Sequence, residues 1–315
     1  MDTEKLFTNK ITVVIIALIC CVLWGSAFPV LKTSYIELGM EAGDLNAKVV
    51  FAGMRFFIAS ILLFIVLVFF IKHSLKVKGK VLLELFGLGL LQTSLQYFFF
   101  YNGLANTTGI KGAILASIGT FFVVLLAHFV YHDDKMNLKK VVGLISGFLG
   151  IFLVNIGKGG FNLEFSLMGE GFLIMAGLVS AFGTILAKRI SKGVHPFLVT
   201  GWQMFLGSLV LLLIGYPRLS PDAMTFTPKA WGLLFYAAFL SATAFSLWYT
   251  LLKYNKAGEI SLYKFIVPVS GSLLSVIFLP GEKLTSYMVI ALLLVSVGII
   301  AVNYKRKKLI DTKNK

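Results

Sequence analysis

At 315 residues, 58% hydrophobic and 14% charged, the chain carries far fewer charges than the roughly 25% of a soluble domain. Its apolar runs approach the ~20 residues that one bilayer crossing needs, which makes a soluble enzyme with a large core a poor description. A net charge of +15 suggests nucleic acid at first sight, but the distribution of that charge argues against it.

Ten spans are predicted, at 12–31, 49–71, 81–103, 110–131, 138–156, 168–187, 197–215, 231–252, 258–279 and 284–304. The connections are short, so no soluble domain is inserted. The longest outer loops fall around 32–48 and 216–230, the latter marked by Pro217, Pro221 and Pro228. With the N-terminus inside, 20 of the 29 Lys and Arg residues lie on inner segments and 7 on outer ones. Arg55 and Lys264 remain within spans. This is the positive-inside pattern of a multi-pass protein of the cell membrane with both termini cytoplasmic. The basic tail after Asn303 then reads as a topology anchor touching lipid headgroups, with no nucleic-acid partner.

Residues 1–23 imitate a signal peptide, with a basic start, an apolar stretch and Gly25-Ser26-Ala27 as small residues. Nine further spans favour a retained first helix. Cys20 and Cys21, the only cysteines, are adjacent in span one; they imply neither a disulfide framework nor a metal site. Arg55 lies in the outer third of span two, where snorkelling to the outer headgroups is as good a reading as a functional role. Span three carries Gln92, Thr93, Gln96, Tyr97, Tyr101 and Asn102. Gln92, Gln96 and, loosely, Tyr101 recur at helical spacing as one polar stripe. Amides and phenols in hydrocarbon seek partners, so this face should look into protein or water.

Span four holds His128 near its inner end, read as a packing histidine rather than a proton carrier, and ends in the inner turn His132-Asp133-Asp134. In span five, Gly143, Gly147 and Gly150 form a small-residue face suited to contact with span ten, and a homodimer seam stays open. Ser180 and Thr184 of span six, with Trp24 and Ser26 of span one, are expected pathway-lining residues, although small-residue packing explains them too. Span eight offers Ser241, Thr243, Ser246, Trp248 and Tyr249; Tyr101 and Tyr249 suit an interfacial aromatic belt equally well. No Asp or Glu occupies the middle of any span, so the usual carboxylate proton relay is missing.

Span nine is the most informative. Lys264 sits about two turns inside an otherwise apolar run, and Pro268 follows one turn later. A charge in hydrocarbon costs about 2.5–3.5 kcal/mol on insertion scales and so usually faces a cavity or a partner. Proline frees a backbone carbonyl that also favours an interior position. The alternative is snorkelling: roughly 9 Å from the inner end, at 1.5 Å per residue, is marginally within a lysine's reach.

The chain also aligns with itself at an offset of 148. Tyr101 falls on Tyr249, Gly109 on Ala257, Asp134-Lys135 on Glu282-Lys283, Gly150 on Gly298 and Asn155 on Asn303. Near the start of each half the offset is about 154, where Ser26-Ala27-Phe28 meets Ser180-Ala181-Phe182. Five spans per half is an odd number, so the second half enters the membrane inverted. Repeats of this kind recur in secondary transporters, with the solute near mid-membrane. The expected fold is an all-α polytopic membrane protein of ten helices in two inverted five-helix repeats, 1–157 and 158–315.

Trp24-Gly25-Ser26-Ala27-Phe28-Pro29, Arg55, the Asp134 and Glu282 hairpins and Pro268 together resemble the drug/metabolite transporter superfamily, EamA branch. The resemblance covers nearly the whole chain and implies an exporter or exchanger of small metabolites that hydrolyses no ATP. It implies a gating role for Arg55 at the outer side. Exchangers of phosphorylated sugars in the same superfamily use basic residues in span nine, which raises anionic solutes for Lys264. Two positions depart from the pattern: Thr120 stands where the first repeat usually has proline, and His132-Asp133-Asp134 where a Gly-Glu pair is usual.

The expected function is therefore secondary transport of a small metabolite by alternating access, most simply export of an amino acid or related compound. The expected substrate-binding set is Trp24, Ser26, Gln92, Gln96, Tyr97, Thr120, Ser180, Thr184, Ser241, Trp248, Lys264 and Pro268. An exchanger of organic acids or sugar phosphates acting through Lys264 is the rival within transport. An intramembrane transferase needs paired acidic clusters for metal and pyrophosphate, and Asp133-Asp134 is a single adjacent pair without a second cluster. No cofactor and no ATP-binding loop are expected; Gly103, Gly109 and Gly112 lack a following Gly-Lys-Ser/Thr.

Overall fold

The computed structural model describes residues 3–41, 43–107, 112, 115–156, 165–280 and 283–303, with the backbone alone at 154–156 and 302–303. Gly109, Lys111, Lys158, Glu282 and the basic tail lie outside the described residues, as do the side chains of Asn155 and Asn303.

Apolar helices occupy all ten predicted positions. Among the described residues seven are long and apolar enough to cross a bilayer: Lys10–Glu37 (span one), Leu45–Phe70 (two), Gly79–Ala105 (three), Leu167–Gly193 (six), Pro196–Arg218 (seven), Pro228–Tyr254 (eight) and Ala257–Phe278 (nine). Ile118–Val130, Leu138–Ile156 and Ser286–Asn303 take the places of spans four, five and ten. A short amphipathic helix, Thr3–Thr8, precedes them.

Local chemistry sets several boundaries. Asn9 caps span one by accepting from the backbone N–H groups of Ile11 (3.0 Å) and Thr12 (3.3 Å). Asp44 accepts from Ala47 N at 2.8 Å to start span two. Thr227 accepts from Ala230 N at 3.1 Å with Pro228 in the first turn of span eight, and Pro196 opens span seven; proline's missing N–H is harmless there.

Several spans carry irregular turns: span six opens with a π turn at Leu167–Gly171 and span seven ends in a 3-10 turn at Tyr216–Arg218. Span two ends in a π turn at Val66–Phe70, span three widens into one at Leu90–Leu95, and span nine is broken. Its parts are Ala257–Ser261, a 3-10 segment Leu262–Phe265, and Ile266–Phe278. Pro268 supplies no N–H to the turn before it, so the tighter winding around Lys264 has a covalent cause.

Contacts between spans are made where side chains shrink. Gly25 of span one lies against span nine: a Cβ there would come 2.2 Å from Ser270 Oγ and 2.9 Å from Gly271 N. Gly177 of span six meets Gly119 of span four, with a Cβ 2.9 Å from Gly119 N. Gly53 and Gly201 bring spans two and seven together, against Leu212 and Phe64 respectively. Gly150 and Gly298 join spans five and ten, as the small-residue face of span five suggests. Exchanging the halves turns the pair one–nine into six–four and leaves two–seven and five–ten unchanged. The packing thus obeys the inverted repeat.

The outward faces are apolar: Phe69 is 72% and Phe70 78% exposed, as suits residues turned to lipid. The end of the bundle carrying the N-terminus is identified by Asn255 Nδ2, which donates to Phe7 O at 2.8 Å. At the opposite end Lys229 pairs with Glu37 at 2.8 Å, Thr227 Oγ1 donates to Glu37 at 2.7 Å, and Asn46 Nδ2 donates to Arg218 O at 3.2 Å.

Candidate functional site

Breaking span nine places Lys264 on a 3-10 turn inside the bundle. Its ammonium lies 5.5 Å from the Trp24 ring centroid and 5.3 Å from that of Trp248. The two indoles meet edge to face at 5.1 Å, and Phe245 closes on Trp24 at 5.2 Å. The lysine therefore turns into an aromatic cage shared by spans one, eight and nine. Cation–π contact is worth about 0.5–2 kcal/mol and replaces only part of an ammonium's hydration. Among the described residues no carboxylate pairs with Lys264. Both indole Nε1 groups are buried without a hydrogen-bond partner.

The turn is tied to span one. Cys21 Sγ donates to Tyr263 O at 3.2 Å, and Ser270 Oγ donates to Cys21 O at 3.3 Å. One carbonyl of the broken turn, Tyr263 O, thereby gains a partner from span one, and both cysteines are buried packing residues.

Arg55 forms a second centre. It is 3% exposed, with its guanidinium carbon 4.3 Å from the Phe56 ring and 5.3 Å from that of Tyr97. The phenols of Tyr97, Tyr101 and Tyr35 supply its nearest polar surroundings. Its Nε and Tyr249 Oη are buried without partners, as is Gln96 Oε1. A string of edge contacts connects the two cations: Trp24 to Phe245, Phe245 to Phe56 at 6.4 Å, and Phe56 to Tyr97 at 4.8 Å.

The remaining predicted residues lie elsewhere. Gln92 Nε2 donates to Ser180 O at 2.9 Å and to Thr184 Oγ1 at 3.2 Å, so these three bind one another across spans three and six. Neighbouring groups of the same span, outside that stripe, do likewise with span seven: Thr93 Oγ1 donates to Gln203 Oε1 at 2.8 Å and Ser94 Oγ to Gly207 O at 3.0 Å. The π turn brings all three residues, Gln92, Thr93 and Ser94, into buried positions. Ser26 bonds Leu23 O and the Tyr236 hydroxyl instead of facing Lys264. Ser241 donates to Ala237 O within its own helix at 2.8 Å, and Thr120 is buried beside the Gly119–Gly177 contact. His128 accepts from Met136 N at 2.9 Å, a local packing role.

At the end carrying the N-terminus, Asp134 departs from the ordinary inner turn expected of it. It is instead 1% exposed and paired at 2.5 Å with Lys140, equally buried, and its other oxygen accepts from Gly258 N at 2.8 Å. Lys188, also buried, donates to the carbonyls of Leu252 (3.0 Å) and Asn255 at the end of span eight. Tyr131 donates to Ile185 O, and burial, then Asp134 and Asp133, pushes its phenol up to about 12. His195 lies 5.3 Å from His73, and burial, then His73 and Lys253, lowers its pKa. The signal for Asp134 was its match with Glu282 across the repeat, but burial cannot be read from such a match.

A bundle of ten apolar helices in two exchange-related halves is a polytopic membrane protein. Residues 11–156 and 167–304 match the EamA-like transporter family. The chain belongs to that family. It is 29% identical over 292 residues to the uncharacterized transporter YvbV of Bacillus subtilis (strain 168), covering 91% of this chain and 90% of that protein. An uncharacterized transporter of Archaeoglobus fulgidus is 27% identical over 287 residues, covering 90% and 95%. A crystal structure of a protein at 15% identity superposes with a TM-score of 0.75, covering 92% of this chain and 95% of the other, a likeness of fold alone.

Proposed function

We propose that the protein is a secondary carrier that moves a small, carboxylate-bearing metabolite across the cytoplasmic membrane by alternating access, with both termini in the cytoplasm. An amino acid or related compound in export is the leading solute. The observation that carries this reading is Lys264, caged by Trp24 and Trp248 without a counter-carboxylate. A half-buried cation with no carboxylate partner among the described residues is stabilised by an anion that comes and goes, which is what a carrier requires. The indole N–H groups beside it add donors for the same carboxylate, and the aromatic walls suit an apolar body. The two halves rock about this aromatic cage, and Arg55 in its phenol surround serves the outer gate.

The second reading, exchange of an organic acid or sugar phosphate, is favoured by one feature. The unpartnered buried atoms beside Lys264 are N–H donors, and a free amine on the solute finds no carboxylate there. Tracer counterflow in proteoliposomes with amino acids, organic acids and sugar phosphates separates the two. Loss of an anion's exchange in Lys264→Ala, with protein still folded in the membrane, supports the Lys264 site. Unchanged kinetics in that variant for every transported solute removes Lys264 from the pathway.

A further inference from the structure

We propose that Asp134 is a positioning residue: with Lys140 it latches the start of span nine, and so holds the Lys264 turn closed toward the face carrying the N-terminus. The inference rests on reading span nine as a wall of the transport pathway.

The latch is built from both halves. Asp134 and Lys140 belong to the first half, one in the turn after span four and the other in the first turn of span five. Lys140 Nζ donates to Asp134 Oδ1 (2.5 Å), Asp134 O (2.8 Å) and Lys135 O (2.9 Å), which uses all three of its N–H bonds. Asn137 Oδ1 accepts from Lys140 N at 3.1 Å and fixes the base of that side chain. The second Asp134 oxygen reaches across to Gly258 N, one of the first N–H groups of span nine, which lack partners within the helix. Glycine suits the contact: a Cβ at 258 would lie 3.1 Å from Asp134 Oδ1 and 3.3 Å from Lys140 Nζ. Lys264 follows six residues later on the same broken span.

The distribution of charge separates a latch from a permanent staple. Had the carboxylate and the ammonium been on opposite halves, parting them would strand two buried charges, a heavily unfavourable step. Both are on one half here. If span nine withdraws, Asp134 keeps its compensation and a single hydrogen bond to a neutral N–H is broken. Lys188 steadies the other side of the corner through carbonyls at the end of span eight, so release at Asp134 frees the start of span nine rather than the whole corner.

Cys21 reports on the turn, because its buried thiol donates to Tyr263 O next to Lys264. The test measures Cys21 alkylation by a membrane-impermeant maleimide in a Cys20→Ala background, with inside-out and right-side-out vesicles. The double variant Asp134→Ala/Lys140→Met removes both charges together and so leaves none stranded. Its alkylation should be faster by about tenfold, the equivalent of one lost hydrogen bond, in inside-out vesicles only. Asp134→Asn/Lys140→Met keeps an acceptor for Gly258 N and should return most of the way to the parent rate; Asp133→Ala, at the exposed neighbour, should match the parent. A parent-like rate in the Ala/Met variant overturns the proposal. So does equal acceleration from both faces, which is general loosening, or failure of the Asn/Met variant to restore protection. Alkylation needs no transported solute, so its outcome is independent of whether counterflow is found.

Discussion

Lys264 and Gln92 are both polar residues set in apolar helices, yet their surroundings give them different work. Gln92 spends its amide on Ser180 O and Thr184 Oγ1, which makes it an adhesive between spans three and six. Interhelical hydrogen bonds in membranes contribute about 0.6 kcal/mol each on average. Gln92→Leu should therefore lower stability by about 1 kcal/mol in a reversible detergent unfolding titration, while the apparent affinity for solute stays near wild type. Trp24→Ala, which removes one wall of the lysine cage, should show the opposite profile: weakened affinity in counterflow with a smaller effect on expression. His195 provides a pH signature. Its pKa is lowered in the folded protein, so its contribution to stability is complete above the ordinary histidine value of about 6.5 and is lost as pH falls through the folded-state value. The melting temperature of the wild type should drop between pH 7.5 and pH 5.5 by more than that of His195→Gln. Of these residues Lys264 was legible in the sequence, because a charge within an apolar run stands out. Its cage was not: Trp24 lies 240 positions away, and nothing local says which face of span one meets span nine.

Helices were found at every predicted position because hydrophobic length alone dictates them; their irregularities needed neighbours to explain them. The break in span nine follows from Pro268, and the freed turn is stabilised by Cys21 and Ser270 across the seam with span one. The π turn in span three has no proline. It coincides with the close approach of Gly89 to span seven, where a Cβ would lie 2.6 Å from Gln203 O, and it turns Gln92, Thr93 and Ser94 all into the interior. The stripe looks into protein as its polarity requires, but its members part company: Gln92 bonds span six, whereas Gln96 keeps an unpartnered buried oxygen. The seam between spans one and nine has little slack. Gly25→Val would drive side-chain atoms into Ser270 and the Gly271 backbone and should destabilise by about 1–3 kcal/mol, measured by the same unfolding titration, with transport impaired.

At the scale of the whole molecule, exchange of the two halves is the organising relation, and it distinguishes the two ends of the bundle. The end carrying the N-terminus is held by buried charges at Asp134, Lys140 and Lys188. The opposite end is joined by the Lys229–Glu37 pair, in which the lysine is 66% exposed. Water and salt screen such a pair, so Lys229→Ala should leave the melting temperature unchanged, whereas Lys140→Met alone, which strands Asp134, should lower it markedly. The amino-acid sequence by itself determined the bilayer as solvent, the ten apolar helices, the charge asymmetry between the two faces and the repeat that relates the halves. Each of these is a sum or a period along the chain, and local composition suffices to set it. Which polar side chains bind one another, which stay unpartnered around Lys264, and that Asp134 is a buried clip on span nine were decided only by tertiary structure. Those outcomes depend on the rotation and close approach of helices distant in sequence, where a single glycine or one widened turn redirects a side chain from one neighbour to another.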